Sequence, residues 1–296
     1  MTSIQHVDST PVSQKRPTKG VHEGKSIGAM APAGKGGRSR GPGRPRTEES
    51  SNTNRLSILR CALRLTKKTT LQDLSILMVA RSMKVAPGLI HYYIGGRDWL
   101  TSGVINLFYR DLLRFWPQEV GDWQADLIAT AKTMYDHLMA YPGVCSYIAS
   151  NHRFRIFQLV EFSDRDWGVE FLERFSGRVH AAGLPGVRSA TYVHMLMNFI
   201  INCAHNTTDH IYPAQHSKII EAKISLLDPQ KYPNIFFGRE TPARINGAGS
   251  LEEGCRLILL GMTNDLMANR DSLGAATTSD EIRDHPNKRL RKTSTG

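Results

Sequence analysis

Leu74-Ser75-Ile76-Leu77-Met78-Val79-Ala80-Arg81-Ser82-Met83-Lys84-Val85-Ala86-Pro87-Gly88-Leu89-Ile90-His91-Tyr92-Tyr93-Ile94 is the stretch on which the fold turns. Val79, Ala80 and Met83 recur at helical spacing. Ser75 stands just before them, where a side-chain oxygen accepts from the unpaired N–H groups of a helix start. Pro87 then suits the first position of a second short helix, because its missing N–H would have no partner there. Ile90 and Ile94 share one face of that helix, and Gly95-Gly96 stops it. Two short helices joined around Lys84 are the expectation.

The helical pattern extends outward in both directions. Upstream, Ile58, Cys61, Ala62 and Leu65 fall at helical spacing after the polar start Ser51-Asn52-Thr53-Asn54. Downstream, a longer helix is predicted over 97–115, ending before Pro117. Further helices are predicted over 124–140, 143–160, 166–182, 188–208, 216–227 and 251–268, punctuated by Pro142, Gly183-Leu184-Pro185-Gly186, Pro213, Pro229 and Pro233. Residues 228–250 read as a loop. Alternating strand patterns and internal repeats are absent from the sequence. The expected fold class is all-α.

Charge divides the chain unevenly. Residues 1–50 carry nine Lys/Arg against four acids and residues 51–115 ten against three, whereas 116–269 carry thirteen against sixteen. A basic front end on a mildly acidic body points to a polyanion partner, nucleic acid or an anionic membrane surface. Residues 1–50 are rich in Gly, Pro, Ser, Lys and Arg and lack the apolar surface to offset chain entropy, so they are expected to be disordered. Residues 270–296 read the same way and contain the basic run Lys288-Arg289-Leu290-Arg291-Lys292. No apolar run approaches the roughly 18–20 residues that cross a bilayer, and no apolar signal segment opens the chain. Cys61, Cys145, Cys203 and Cys255 are scattered within apolar helical patterns, which fits reduced thiols in a cytoplasmic protein.

The segment Ile58–Leu65, Leu74-Ser75, Val79-Ala80, Val85–Ile94 and Arg97-Asp98-Trp99-Leu100 resembles the N-terminal domain of the TetR family of transcriptional regulators in order, spacing and residue type. The resemblance implies a helix-turn-helix, in which helix 74–83 supports a recognition helix at 87–93 that enters the DNA major groove. It implies Ser75, Pro87, Gly88, Leu89, His91, Tyr92, Tyr93 and Arg97 as DNA-contacting residues. The aromatic hydroxyls and His91 suit phosphate contacts, and Leu89 suits a thymine methyl. The sequence departs from the family at three places: Lys84 replaces the usual turn glycine, His91 the usual tyrosine, and Leu77 a polar or basic residue. Before the first helix, Gly43-Arg44-Pro45-Arg46 resembles an AT-hook, which implies Arg44 and Arg46 in a narrow A·T minor groove.

The second half resembles the family more loosely. The expected domains are a basic arm at 1–50, the helix-turn-helix at 51–97, a helical regulatory and dimerisation domain at 98–269, and a basic tail at 270–296. The run Leu251–Met262 looks like the family's last helix, which implies a homodimer seam with Gly254, Leu257, Leu260 and Gly261 in it. Tyr135, Met139, Tyr147, Phe154, Phe157, Phe162, Trp167, Met195 and Asn198 are the candidate lining of a pocket for an unidentified small molecule. No nucleophile-elbow, phosphate-loop or zinc-protease motif is present, so neither catalysis nor a metal or cofactor is expected. The function implied is a cytoplasmic, nucleoid-associated repressor, bound to a palindromic operator on double-stranded DNA and released by a ligand. A ligand-independent architectural DNA-binding protein, or an interaction module that has lost DNA binding, is the alternative.

Overall fold

The computed structural model describes residues 53–150, 159–160 and 165–283, and the secondary structure among these is helical throughout. The chain opens with α1 (Arg55–Leu65), α2 (Ile76–Met83), α3 (Pro87–Ile94) and α4 (Arg97–Arg114). It continues with α5 (Trp123–Ala140), α6 (Pro142–Ser150), α7 (Trp167–His180) and α8 (Gly186–Thr208). The short helices α9 (Ser217–Ile224) and α10 (Pro233–Phe237) precede the last, long helix α11 (Gly247–Arg283).

The starts are set by local chemistry. Asn54 caps α1 reciprocally with Ser57, Ser75 accepts from the Met78 N–H at α2, and Pro87 opens α3. Asp122 and Asp166 cap α5 and α7 by accepting from backbone N–H groups one turn in. Such caps are worth about 1 kcal/mol each.

The body is organised around α8, which packs against α5, α6, α7 and α11. Phe108, Phe171 and Phe175 are fully buried, Phe108 against His137 and Tyr141 of α5 and its C-terminal end and Phe171 stacked on Tyr109 of α4, each contributing about 1.5–3 kcal/mol of apolar burial. Arg178 is buried too: its guanidinium lies 2.8 Å from Glu119 and 3.7 Å from Asp126 and donates to the Pro117 carbonyl, tying α7 to the α4–α5 connection. Burial pushes the thiols of Cys145 and Cys255 up to about 12 and about 11, so near neutral pH both are packing residues.

The helix-turn-helix is joined to the body at two places. Helix α4 packs along α1. The α1–α2 connection docks on α6 through Gly143, whose N–H donates to the Thr66 carbonyl (2.9 Å) and whose carbonyl accepts from the Leu71 N–H (3.1 Å). A Cβ at Gly143 would stand 2.0 Å from the Thr69 carbonyl oxygen, so this docking requires glycine.

Three expectations about elements change. The 143–160 helix is helical over Pro142–Ser150, and Leu159 and Val160 are not helical. The 228–250 loop holds α10, a 3-10 turn at Pro242–Arg244 and the start of α11. Pro233, read as a break, instead starts α10, and Pro242 starts the 3-10 turn in the same way. Helix α11 runs on to Arg283 rather than ending near 268: 270–283 contains no proline, and extending a helix is far cheaper than nucleating one.

Candidate nucleic-acid interface

Helices α2 and α3 meet at a tight turn centred on Lys84, which lies at φ 56°, ψ 37° in the left-handed region. The Lys84 N–H donates to the Arg81 carbonyl (3.2 Å) and the Val85 N–H to the Ala80 carbonyl (3.0 Å). This is a Schellman ending of α2, usually made with glycine. It reverses the chain so that Val79, Ala80, Ile90 and Ile94 form one buried seam.

That seam leaves the opposite face of α3 outward. Pro87, Gly88, His91 and Tyr92 are exposed, whereas Leu89 and Tyr93 are half-buried. Tyr92 is 81% exposed, with its ring edge-on to Tyr93 at 5.2 Å between centroids. The Nδ1–H of His91 donates to the Gly95 carbonyl (2.9 Å). In the neutral ring this leaves Nε2 outward as an acceptor, complementary to an adenine or cytosine amino group. Gly95, at φ +91°, turns the chain into α4.

Arg97 is exposed at the start of α4, and its guanidinium donates to the Gln72 carbonyl. Ser75 is engaged as the α2 cap. Leu77 is 46% exposed on α2. Arg44 and Arg46 lie outside the described residues.

The pocket candidates do not share one surrounding. Tyr135 is buried, with its hydroxyl 3.0 Å from that of Thr207. Met139 and Tyr147 are half-buried against the core. Trp167 starts α7 and lines two outer clefts. Met195 corrects its expectation: it points outward from α8, 45% exposed, because Leu196, Met197 and Ile200 take the inner face. Asn198 lies one turn on from His194 and donates to its carbonyl (2.8 Å). Phe154, Phe157 and Phe162 lie outside the described residues.

The seam candidates divide. Leu257 and Leu260 are exposed, at 53% and 49%, on the same side as Met267. Gly261 is open, since a Cβ there would meet only the Tyr192 hydroxyl at 3.5 Å. Gly254 serves another contact than expected: a Cβ there would fall 2.0 Å from the Phe199 ring, so its missing side chain admits α8 of its own chain. Tyr192 and Arg188 of α8 both bond the Asp265 carboxylate of α11, at 2.8 and 3.0 Å, and fix the two helices together. Burial and the neighbouring Asp265 carboxylate raise the Tyr192 phenol above its usual range.

No family model matches the sequence, and no curated protein matches it. Solved structures do match. The regulator SCO7222, a TetR from Streptomyces coelicolor, matches with a TM-score of 0.59 over 72% of this chain and 98% of its own, at 19% identity. Apo ActR from Streptomyces coelicolor gives a TM-score of 0.59 over the same shares, at 16% identity. ActR in complex with actinorhodin also gives 0.59, over 72% and 97%, at 16% identity. The chain has the TetR fold. At this identity the likeness is one of fold, and function has to be argued from the site. Within the TetR fold of this chain, no helix of the described residues is long and apolar enough to cross a membrane, and none of their His, Cys, Asp and Glu side chains form a group of three that could hold a metal.

Proposed function

We propose that the chain is a DNA-binding transcriptional regulator that works as a homodimer, with α3 as its recognition helix. The observation that carries this is Tyr92. A large aromatic side chain 81% exposed on a helix of eight residues, touching Tyr93 at a ring edge, contributes little to the core, and it stands beside exposed His91, Gly88 and Pro87. An α-helix end with small residues first and hydrogen-bonding side chains next fits a major groove. The excess of basic residues over 1–115 supplies the attraction to phosphate. On this reading Tyr93 and Leu89 border the contact, Arg97 exchanges its carbonyl partner for a phosphate, and Arg44 and Arg46 reach an adjacent minor groove.

Two recognition helices need a fixed separation, which a dimer supplies. The outward residues Met195, Leu257, Leu260 and Met267 on α8 and α11 form the face we assign to the partner copy, and a palindromic operator follows from its two-fold symmetry. ActR binds actinorhodin and (S)-DNPA in its solved complexes. That precedent supports a small-molecule effector here; on our reading the effector relieves repression, in a cytoplasmic protein at the nucleoid.

The test is Tyr92→Ala combined with Arg97→Ala, measured by fluorescence anisotropy on duplexes selected by the wild-type protein. Specific affinity falls at least tenfold while circular dichroism stays that of the wild type. Undiminished affinity in a folded double variant overturns the assignment of α3.

A further inference from the structure

Two clefts meet on the outer side of α1, α4 and α7, away from the recognition helix. One, of about 310 Å³, has apolar walls from Leu56, Leu59, Leu107, Leu159 and Val160. The other, of about 330 Å³, is lined by Arg60, Arg110, Arg114 and Arg174 with Leu113 and Trp167, and no acidic side chain lines it. Arg110 and Trp167 border both, so the clefts adjoin. Each is of the size that holds a small molecule.

The floor is fixed rather than loose. The side-chain amide of Asn106, on α4, donates to the Arg165 carbonyl (3.1 Å) and accepts from the Trp167 N–H (2.8 Å). This holds the start of α7 against α4. The Arg165 guanidinium lies over the Trp167 ring, 4.7 Å from its centroid. Nearby acids fall short of neutralising the arginines. Asp111 is shared by Arg110 (3.1 Å) and Arg114 (4.0 Å), and Glu170 by Arg165 and Arg174. Arg60, exposed on α1, makes no ion pair among the described residues. Four guanidinium groups from three helices thus have two carboxylates near them, one of which Arg165 also shares, so a further anion among them is favoured, and their planar forks match phosphate oxygens.

We propose that the double cleft binds an amphipathic anion, a phosphate ester with its head among Arg60, Arg110, Arg114 and Arg174 and its apolar part against Leu56, Leu59 and Leu107. The site is separate from the exposed face of α3: Arg110 lies thirteen residues along α4 from Arg97, about 20 Å at the helical rise. Because Arg60 belongs to α1, which packs on α2 and α3, the bound head group ties the helix-turn-helix to the body.

The test is calorimetric titration of the full chain with octyl phosphate below its micelle concentration, with inorganic phosphate and octyl glucoside as the head and tail alone. The expected result is saturable binding of one octyl phosphate per chain, at least tenfold tighter than either fragment. Arg60→Gln with Arg174→Gln weakens it at least tenfold, and Arg60→Lys with Arg174→Lys restores part of the loss. Both variants change exposed side chains, and circular dichroism confirms their fold. Absence of saturable binding, or equal binding by the Gln variant, overturns the proposal. No DNA enters the titration, so its outcome is independent of the role of α3.

Discussion

Lys84 gives the sharpest stability prediction, because its cost is set by backbone geometry alone. It is exposed, so replacing it removes no packing, but it sits at φ 56°, ψ 37° and must stay there for Val85 to reach the Ala80 carbonyl. An L-residue pays about 1–2 kcal/mol for the left-handed conformation. Glycine avoids that cost but gains freedom in the unfolded chain, which returns about 0.4–1 kcal/mol. The net expectation for Lys84→Gly is a stabilisation of about 0.5–1 kcal/mol. In a unit of this size that raises the melting midpoint by about 1–4 °C. Lys84→Asn, which tolerates this region, changes the midpoint little. Lys84→Val, β-branched, lowers stability by about 1 kcal/mol or more. Gly and Asn both remove the lysine charge, so a difference between them reports conformation. The assay is urea and thermal unfolding followed by circular dichroism. A valine variant as stable as wild type, with glycine less stable than lysine, refutes a left-handed turn at this position and with it the geometry that aims α3.

The remaining predictions concern the body. Gly261→Arg yields a folded monomer by light scattering, because nothing in its own chain opposes the new side chain, whereas Gly254→Ala stays dimeric but loses about 1–3 kcal/mol as Phe199 is displaced; a dimeric Gly261→Arg protein moves the seam elsewhere. Gly143→Ala drives a Cβ onto the Thr69 and Thr66 carbonyls, which cannot yield as a side chain can, and should cost about 3 kcal/mol or more in urea unfolding, with unchanged stability refuting the docking of α6 on the α1–α2 connection. His137 is buried with Nε2–H donating to the Phe108 carbonyl, and burial holds its pKa below the ordinary value of 6.5 despite that bond and nearby Asp111. The unfolded chain therefore takes up the proton first, so this contribution to stability is intact above about pH 6.5 and is lost as the pH falls toward the lowered folded value; His137→Gln should reduce the loss between pH 7 and 5, and an unreduced loss refutes it.

The helix-turn-helix was legible because its signals are local. Ser75, Pro87 and Gly95 each mark a helix end by chemistry local to that residue, and Ile90 and Ile94 mark the inner face by spacing. Lys84 was legible as a departure from the usual turn glycine, and the structure places it at positive φ. The body was harder to read because its features are tertiary. Met195 looks like any apolar residue of α8 until Leu196, Met197 and Ile200 are seen to take the core side. Gly254 and Gly261, a heptad apart, look alike in sequence, yet one is filled by Phe199 and the other is open. The arginine cleft left no sequence signal, because Arg60, Arg110 and Arg174 lie on three helices that meet only on folding. Helix α11 outran its expected end because a composition that would not start a helix continues one already formed.

The central claim is that two copies of α3 read DNA together. Selection of bound duplexes from a random pool by the full-length protein, at a stated salt concentration, tests it most directly. The expected product is an inverted repeat whose half-sites fall on one face of the duplex, about one helical turn or a multiple of it apart, and which is lost from the selected pool with Tyr92→Ala. Recovery of an unsymmetric site, of no common sequence, or of the same repeat with Tyr92→Ala would contradict it.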